Sequence, residues 1–212
     1  CVAERFVKKI DDSVSFIEAA AAEPLAVAVR AVSRIEAQGK TVLVVGSGTI
    51  GLMVQMMLLA QGAGTVIVSD KSDYRLERAS QIGAHHVLNP GREDLQQAIA
   101  RITKGKGVDI AIEAVGIGPT VNQALNSLKS TGQCVWIGNS AKMIEINMQQ
   151  VVTRELAIWG TYSYTNADFD QALAFITCGE IDVHSVIDSQ ITLEEAPAVF
   201  AKLAQGADRP IK

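Results

Sequence analysis

Three glycines, Gly46, Gly48 and Gly51, stand in the spacing G-x-G-x-x-G within "VLVVGSGTIGLMVQMMLLAQG", residues 42–62. Each suits a different demand of a turn that receives an anion. Gly46 lets the chain reverse tightly. Gly48 has no Cβ, so a pyrophosphate can come up to the backbone. Gly51 lets the following helix lie close on the strand. The amides that open the helix, near Thr49 and Ile50, then face the phosphates, helped by the helix dipole. The same glycines would serve a strand-to-helix turn that binds nothing. Their setting favours a ligand, because an aliphatic strand precedes the turn and a nearly unbroken apolar run follows it.

Asp70 supplies the second group. It closes "TVIVSD", about 20 residues past the glycines, where an acidic side chain accepts hydrogen bonds from the ribose hydroxyls of a bound dinucleotide. A carboxylate there repels a 2′-phosphate, which favours NAD over NADP. Lys71 and Arg75 stand close by and offset part of that repulsion. The bland alternative is that Asp70 caps the helix beginning near Asp73.

A strand, a turn and a buried helix are needed to position these groups. Thr41–Val45, Thr65–Ser69, His86–Leu88, Val108–Ala114, Gln133–Ile137 and Leu156–Gly160 read as strands. Between them, Ile50–Gln61, Asp73–Ile82, Leu95–Thr103, Thr120–Leu128 and Met148–Arg154 read as helices. Val- and Ile-rich strands without polar alternation imply burial on both faces, hence a parallel sheet. Strand and helix in turn predict right-handed crossovers and an α/β, doubly wound parallel sheet of the Rossmann kind. Leu52–Leu59 is apolar nearly all round, so its helix is expected to lie buried, with Met53, Met56 and Met57 as packing. Pro24–Gln38 reads as a helix with Gly39 at its C-terminal cap, and Pro24 at its first position puts Glu23 at the N-cap. Ala167–Cys178 and Leu193–Gln205 read as two later helices. Thr192 and Glu195 match a capping box for the second.

Composition narrows the function classes. The 212 residues are 48% apolar, enough for a full core in one domain or two. A net charge of −4 argues against a large basic face for nucleic acid. No uninterrupted apolar run reaches the roughly 18 residues of a membrane span, and "CVAERFVKKIDDS" lacks the layout of a secretory signal. Three widely spaced cysteines argue against a disulfide framework and for a reducing cytoplasm. Cys134, in "QCVWIG", reads as an inert core thiol.

The order and spacing of several segments resemble the zinc-dependent medium-chain dehydrogenases, above all the polyol branch with sorbitol and threonine dehydrogenases. The segments are "EAAAAEPLAVAVRAV" (Glu18–Val32), "VLVVGSGTIGL" (Val42–Leu52), "VSDKSDYRLERASQIGAHHVLNP" (Val68–Pro90), "VDIAIEAVG" (Val108–Gly116), and "ELAIWGTYSY" followed by "DFDQALAFITCGEID". The resemblance implies an enzyme that moves a hydride between the CH–OH of a polyol, alcohol or hydroxy amino acid and NAD, with zinc assisting. It implies that Glu23, in the E-P-L segment, reaches the catalytic zinc as a ligand or through bound water; otherwise Glu23 is a helix-start carboxylate. Arg75 would contact the adenosine ribose, or else be a solvated helix charge. Val115 and Gly116 would pass under the middle of the cofactor. Ile137, Gly138 and Asn139, with Thr161 to Ser163, would hold the nicotinamide by backbone contacts.

The resemblance also sets expectations for the whole protein. Residues 1–23 would be a remnant of a GroES-like catalytic domain, 24–163 the NAD-binding Rossmann domain, and 164–212 C-terminal helices returning toward the catalytic domain. The zinc ligands of the family lie in an upstream domain, so the chain is expected to be the C-terminal portion of a longer enzyme and inactive alone. His85, His86 and His184 read as structural or surface residues. A homodimer or homotetramer is expected, paired through an edge strand at Gln133–Ile146. Two other readings remain open. One is a zinc-free quinone or enoyl reductase of the same superfamily, disfavoured by "GSGTIG" and the E-P-L segment. The other is a NAD-responsive module without catalysis, for which the Glu23 segment and the C-terminal helices would be superfluous.

Overall fold

The computed structural model describes residues 3–204. Six strands form one sheet: β1 (Thr41–Val45), β2 (Thr65–Ser69), β3 (His86–Leu88), β4 (Val108–Glu113), β5 (Leu128–Trp136) and β6 (Ala157–Gly160). Nine α-helices accompany them among the described residues: α1 (Phe16–Ala20), α2 (Ala22–Val32), α3 (Thr49–Ala60), α4 (Asp73–Ile82), α5 (Leu95–Thr103), α6 (Gly118–Ser127), α7 (Met148–Thr153), α8 (Asn166–Thr177) and α9 (Ala196–Ala204). All strand pairs are parallel, in the order β3-β2-β1-β4-β5-β6. This is the doubly wound α/β sheet that the alternation predicts.

The strands are apolar on both faces because both faces are covered. Val42 and Val44 of β1 share a core with α2, α3, α4 and α8. Leu43 and Val45 point the opposite way, into a second core with α5 and α6. Within α3, Leu52, Met53, Val54, Met57 and Leu58 are wholly buried, so its methionines do pack the core. Gln55, on the same helix and also buried, donates from Nε2 to the Ala79 carbonyl at 2.7 Å and tethers α3 to α4.

The structure corrects the sequence reading at three places. The first is the start of α2. Ala21 has helical dihedrals and its carbonyl accepts the Leu25 N–H at 3.0 Å, so a short capped helix, α1, runs into α2. Glu23 is therefore the second residue of α2 and Pro24 the third. Proline is tolerated there because amides of the first turn have no acceptor within the helix. The second is the end of α2. It stops at Val32, and Gly39 (φ +69°) instead serves a turn whose N–H bonds the Gly62 carbonyl at 2.8 Å. The third is the sheet edge. Residues 133–136 of β5 pair with 157–160 of β6, so β5 is interior and β6, like β3 at the other end, is an edge strand. At the far end, Thr192 and Glu195 exchange the bonds of a capping box; Gln205 lies outside the described residues.

Candidate dinucleotide site

The strand order reverses between β1 and β4, and open α/β sheets bind ligands at that point, beyond the carboxyl ends of the strands. A cleft of about 180 Å³ lies there, lined among others by Gly46, Asp70, Arg75, Val115, Ile117 and Thr120. Three strand ends build it. β1 supplies the glycine turn, β2 supplies Asp70, and β4 supplies the loop from Ala114 to Ile117.

The glycines divide into two kinds. Gly46 has φ +97°, and a Cβ on it would stand 2.6 Å from Cγ2 of Val115. A Cβ on Gly51 would overlap the Gly46 carbonyl oxygen, so strand and helix meet there without room for a side chain. The fold itself therefore requires these two. Gly48 differs: its φ is −71°, and the nearest atom to an added Cβ is Nη1 of Arg75, at 3.8 Å. Nothing in the protein asks for glycine at that point. Gly48 is the N-cap of α3, and its lack of a side chain leaves α3 without a capping hydrogen bond of that kind. An added Cβ there would make only an ordinary contact with Arg75, and the start of α3 at Thr49 and Ile50 is the helix end that favours a phosphate.

Asp70 is largely buried and is already engaged. Oδ2 accepts the Ser47 N–H and Oδ1 the Ser72 N–H, each at 2.8 Å. An ionised carboxylate has about four acceptor positions, so room remains for ribose hydroxyls. The cap of α4 is Ser72, whose hydroxyl accepts the Arg75 N–H. Arg75 reaches from α4 to within 4.0 Å of Asp70, and its buried Nε has no hydrogen-bond partner. Ser47 Oγ is likewise buried and unpartnered at the turn.

The remaining predicted residues gather outside this cleft. Gly116 and Gly138 press against each other behind Val115, where the end of β4 meets the end of β5. Ile137 and Gly138 are tied to the Glu113 carbonyl. The Thr161 N–H bonds the Trp136 carbonyl at 3.0 Å, while its buried hydroxyl has no partner. Ser163 is exposed with φ +54°. Next to it, Tyr164 lies beside Glu23; burial, and then that neighbouring carboxylate, push its phenol up. The structure thus brings exposed Glu23 to the end of β6, which their separation in sequence conceals. Sequence reading missed Ser47, Glu113, Thr120 and Tyr164. Only the charge in the middle of "AIEAV" could have flagged one of them, since a lone carboxylate in an apolar strand needs a reason.

Metal binding does not follow from these residues. A catalytic zinc needs about three protein ligands, and among the described residues no three His, Cys, Asp or Glu side chains converge. Glu23 alone does not fit the ion. Among the described residues, no helix is long and apolar enough to cross a membrane.

The family model of the zinc-binding dehydrogenases matches residues 49–177, more than half of the chain. The chain belongs to the zinc-binding dehydrogenase family. Sorbitol dehydrogenase from Bacillus subtilis is 33% identical over 209 residues, which cover 98% of this chain and 59% of that protein. L-idonate 5-dehydrogenase from Vitis vinifera is 32% identical, covering 94% and 56%. Among solved structures, a zinc-binding dehydrogenase from Sinorhizobium meliloti 1021 with NADP bound superposes with a TM-score of 0.86 at 29% identity, covering 92% of this chain and 58% of that one. This zinc-binding dehydrogenase chain spans a little under three fifths of the relatives it matches.

Proposed function

We propose that this chain is the dinucleotide-binding part of an oxidoreductase that moves a hydride between the CH–OH group of a polyol or related alcohol and NAD. The observation that carries the reading is Gly48. It is an uncapped, sterically unnecessary glycine at the start of α3, next to Ser47, whose amide bonds the Asp70 carboxylate. Gly46, Gly51 and the amides near Thr49 and Ile50 would seat the pyrophosphate, and Asp70 would take the adenosine ribose. Arg75 would lie along the ribose, and Val115 with Gly116 under the middle of the molecule. Backbone groups of Ile137, Gly138, Thr161 and Ser163 would orient the ring. When bound, the nicotinamide supplies the hydride acceptor; the chain's own groups bind, aim and dry it.

The names of the relatives, sorbitol and L-idonate dehydrogenases, support an alcohol of the sugar class as the small-molecule substrate. NAD is the preferred cofactor because a 2′-phosphate would meet Asp70, though Arg75 leaves NADP a weaker place. Zinc belongs to the complete enzyme, with Glu23 contributing no more than one oxygen. In domain terms, residues 24–163 would form the NAD-binding domain, 1–23 a remnant of the catalytic domain, and 164–212 the C-terminal helices returning toward it. We place the enzyme in the cytoplasm as a homodimer or homotetramer, paired along the open edge of β6. Calorimetric titration tests the reading: heat with NADH, weaker heat with NADPH, and no zinc-dependent alcohol oxidation by this chain. An absence of heat with both nucleotides would overturn it.

A further inference from the structure

Glu113 ends β4 with its side chain wholly buried. Burying a carboxylate is costly and is tolerated where donors converge on it. Here they do. Oε1 accepts the Val115 N–H at 3.0 Å, the Gly116 N–H at 2.8 Å and the Thr120 hydroxyl at 2.6 Å; Oε2 accepts the Gly116 N–H at 3.0 Å. The main chain of the same residue reaches the neighbouring strand. Its carbonyl accepts the Ile137 N–H at 2.9 Å and the Gly138 N–H at 3.1 Å. One residue therefore holds two strand ends, the loop after β4 by its side chain and the end of β5 by its backbone. The loops interlock closely. A Cβ on Gly138 would stand 2.5 Å from Glu113 Oε2, and one on Gly116 would overlap the Asn139 amide. Val115, on the pinned loop, packs against Gly46 of the phosphate turn.

We infer that Glu113 is a positioning residue for the dinucleotide: its buried carboxylate sets the loop 114–117, and its carbonyl sets residues 137–138, in the shape that receives the cofactor. The inference rests on the dinucleotide reading above. It goes beyond it by assigning the conformation of two cofactor loops to one residue, the first through its side chain and the second through its carbonyl. A carboxylate that merely stabilised the core would lower the melting temperature when removed and leave the affinity of the folded protein unchanged.

The test is NADH titration of the full chain at 25 °C, with melting temperatures and amide hydrogen exchange recorded on the same samples. Glu113→Ala is expected to weaken NADH binding on the order of tenfold and to speed exchange at Val115 and Gly116, since three donors lose their acceptor. Glu113→Gln keeps one acceptor oxygen and is expected to lose about threefold, a partial rescue. If Glu113→Ala fails to fold, Glu113→Gln carries the test through the same two readouts. Binding by the folded variant within twofold of the unmodified chain, with melting alone affected, would overturn the inference and leave the dinucleotide reading standing. Failure of the unmodified chain to bind NADH would overturn both.

Discussion

At the scale of single residues, the glycines separate what the fold needs from what a ligand needs. Gly51→Ala drives a Cβ into the Gly46 carbonyl, and overpacking of this kind costs about 2–3 kcal/mol; thermal melting measures it. Gly48→Ala has room in the free protein, so its melting temperature should match that of the unmodified chain. Its NADH affinity should fall about tenfold, because a bond to a charged group is worth about 1.5 kcal/mol. Equal loss of stability in both variants would refute the division. Asp70→Asn keeps an acceptor for the Ser47 amide and removes the charge, so the NADPH-to-NADH affinity ratio should rise at least about tenfold. Paired titrations read that ratio directly. Burial pushes the Cys134 thiol up to about 12, while Cys178 is exposed. Ellman's reagent should therefore modify Cys178 in the native protein and reach Cys134 only after unfolding.

At the scale of elements, the sheet is tied across its strands by side chains as well as by its ladder. Asp109 on β4 accepts the Thr41 N–H at 2.8 Å and meets Lys129 Nζ at 2.5 Å, joining β4 to β1 and β5. Burial pushes its carboxyl up, but Lys129 and the Thr41 amide together outweigh that and hold it below the usual carboxylate range. A depressed folded-state value gives stability that is present above the unfolded value, near pH 4, and is lost as pH falls through the folded one. Asp109→Asn should thus cost about 1 kcal/mol at pH 7, and the cost should shrink as pH falls through the folded-state value; a series of urea melts at falling pH checks it. Element type was legible where local pattern decides it, as in α4 and α5, whose ends at Ser72 and Asp94 carry their own caps. The type was right at α2 and its start was misread, because Pro24 is a legitimate first residue in isolation. The helix starts earlier, at Ala22, where α1, capped by Ser15 and Glu18, runs into it through Ala21.

At the scale of the whole molecule, the proposed pairing of two copies would use the open hydrogen-bonding side of β6, and half-exposed Trp159 lies on that strand. On that proposal, Trp159→Glu should lower the mass seen by light scattering to that of one protomer while leaving its melting temperature and NADH affinity nearly unchanged; an unchanged mass would overturn pairing through β6. The candidate site was half legible in the sequence. The G-x-G-x-x-G spacing, the acid ending the second strand and the unbroken apolar helix specify a parallel sheet with a phosphate-sized turn, because spacings this short are governed by the local geometry of one strand, one turn and one helix. The partners of Asp70, the clasp of Glu113 on two loops, the approach of Tyr164 to Glu23 and the identity of the edge strand were not legible there. Each depends on which distant segments meet, and that is decided only when the strands take their order and both apolar faces are buried at once.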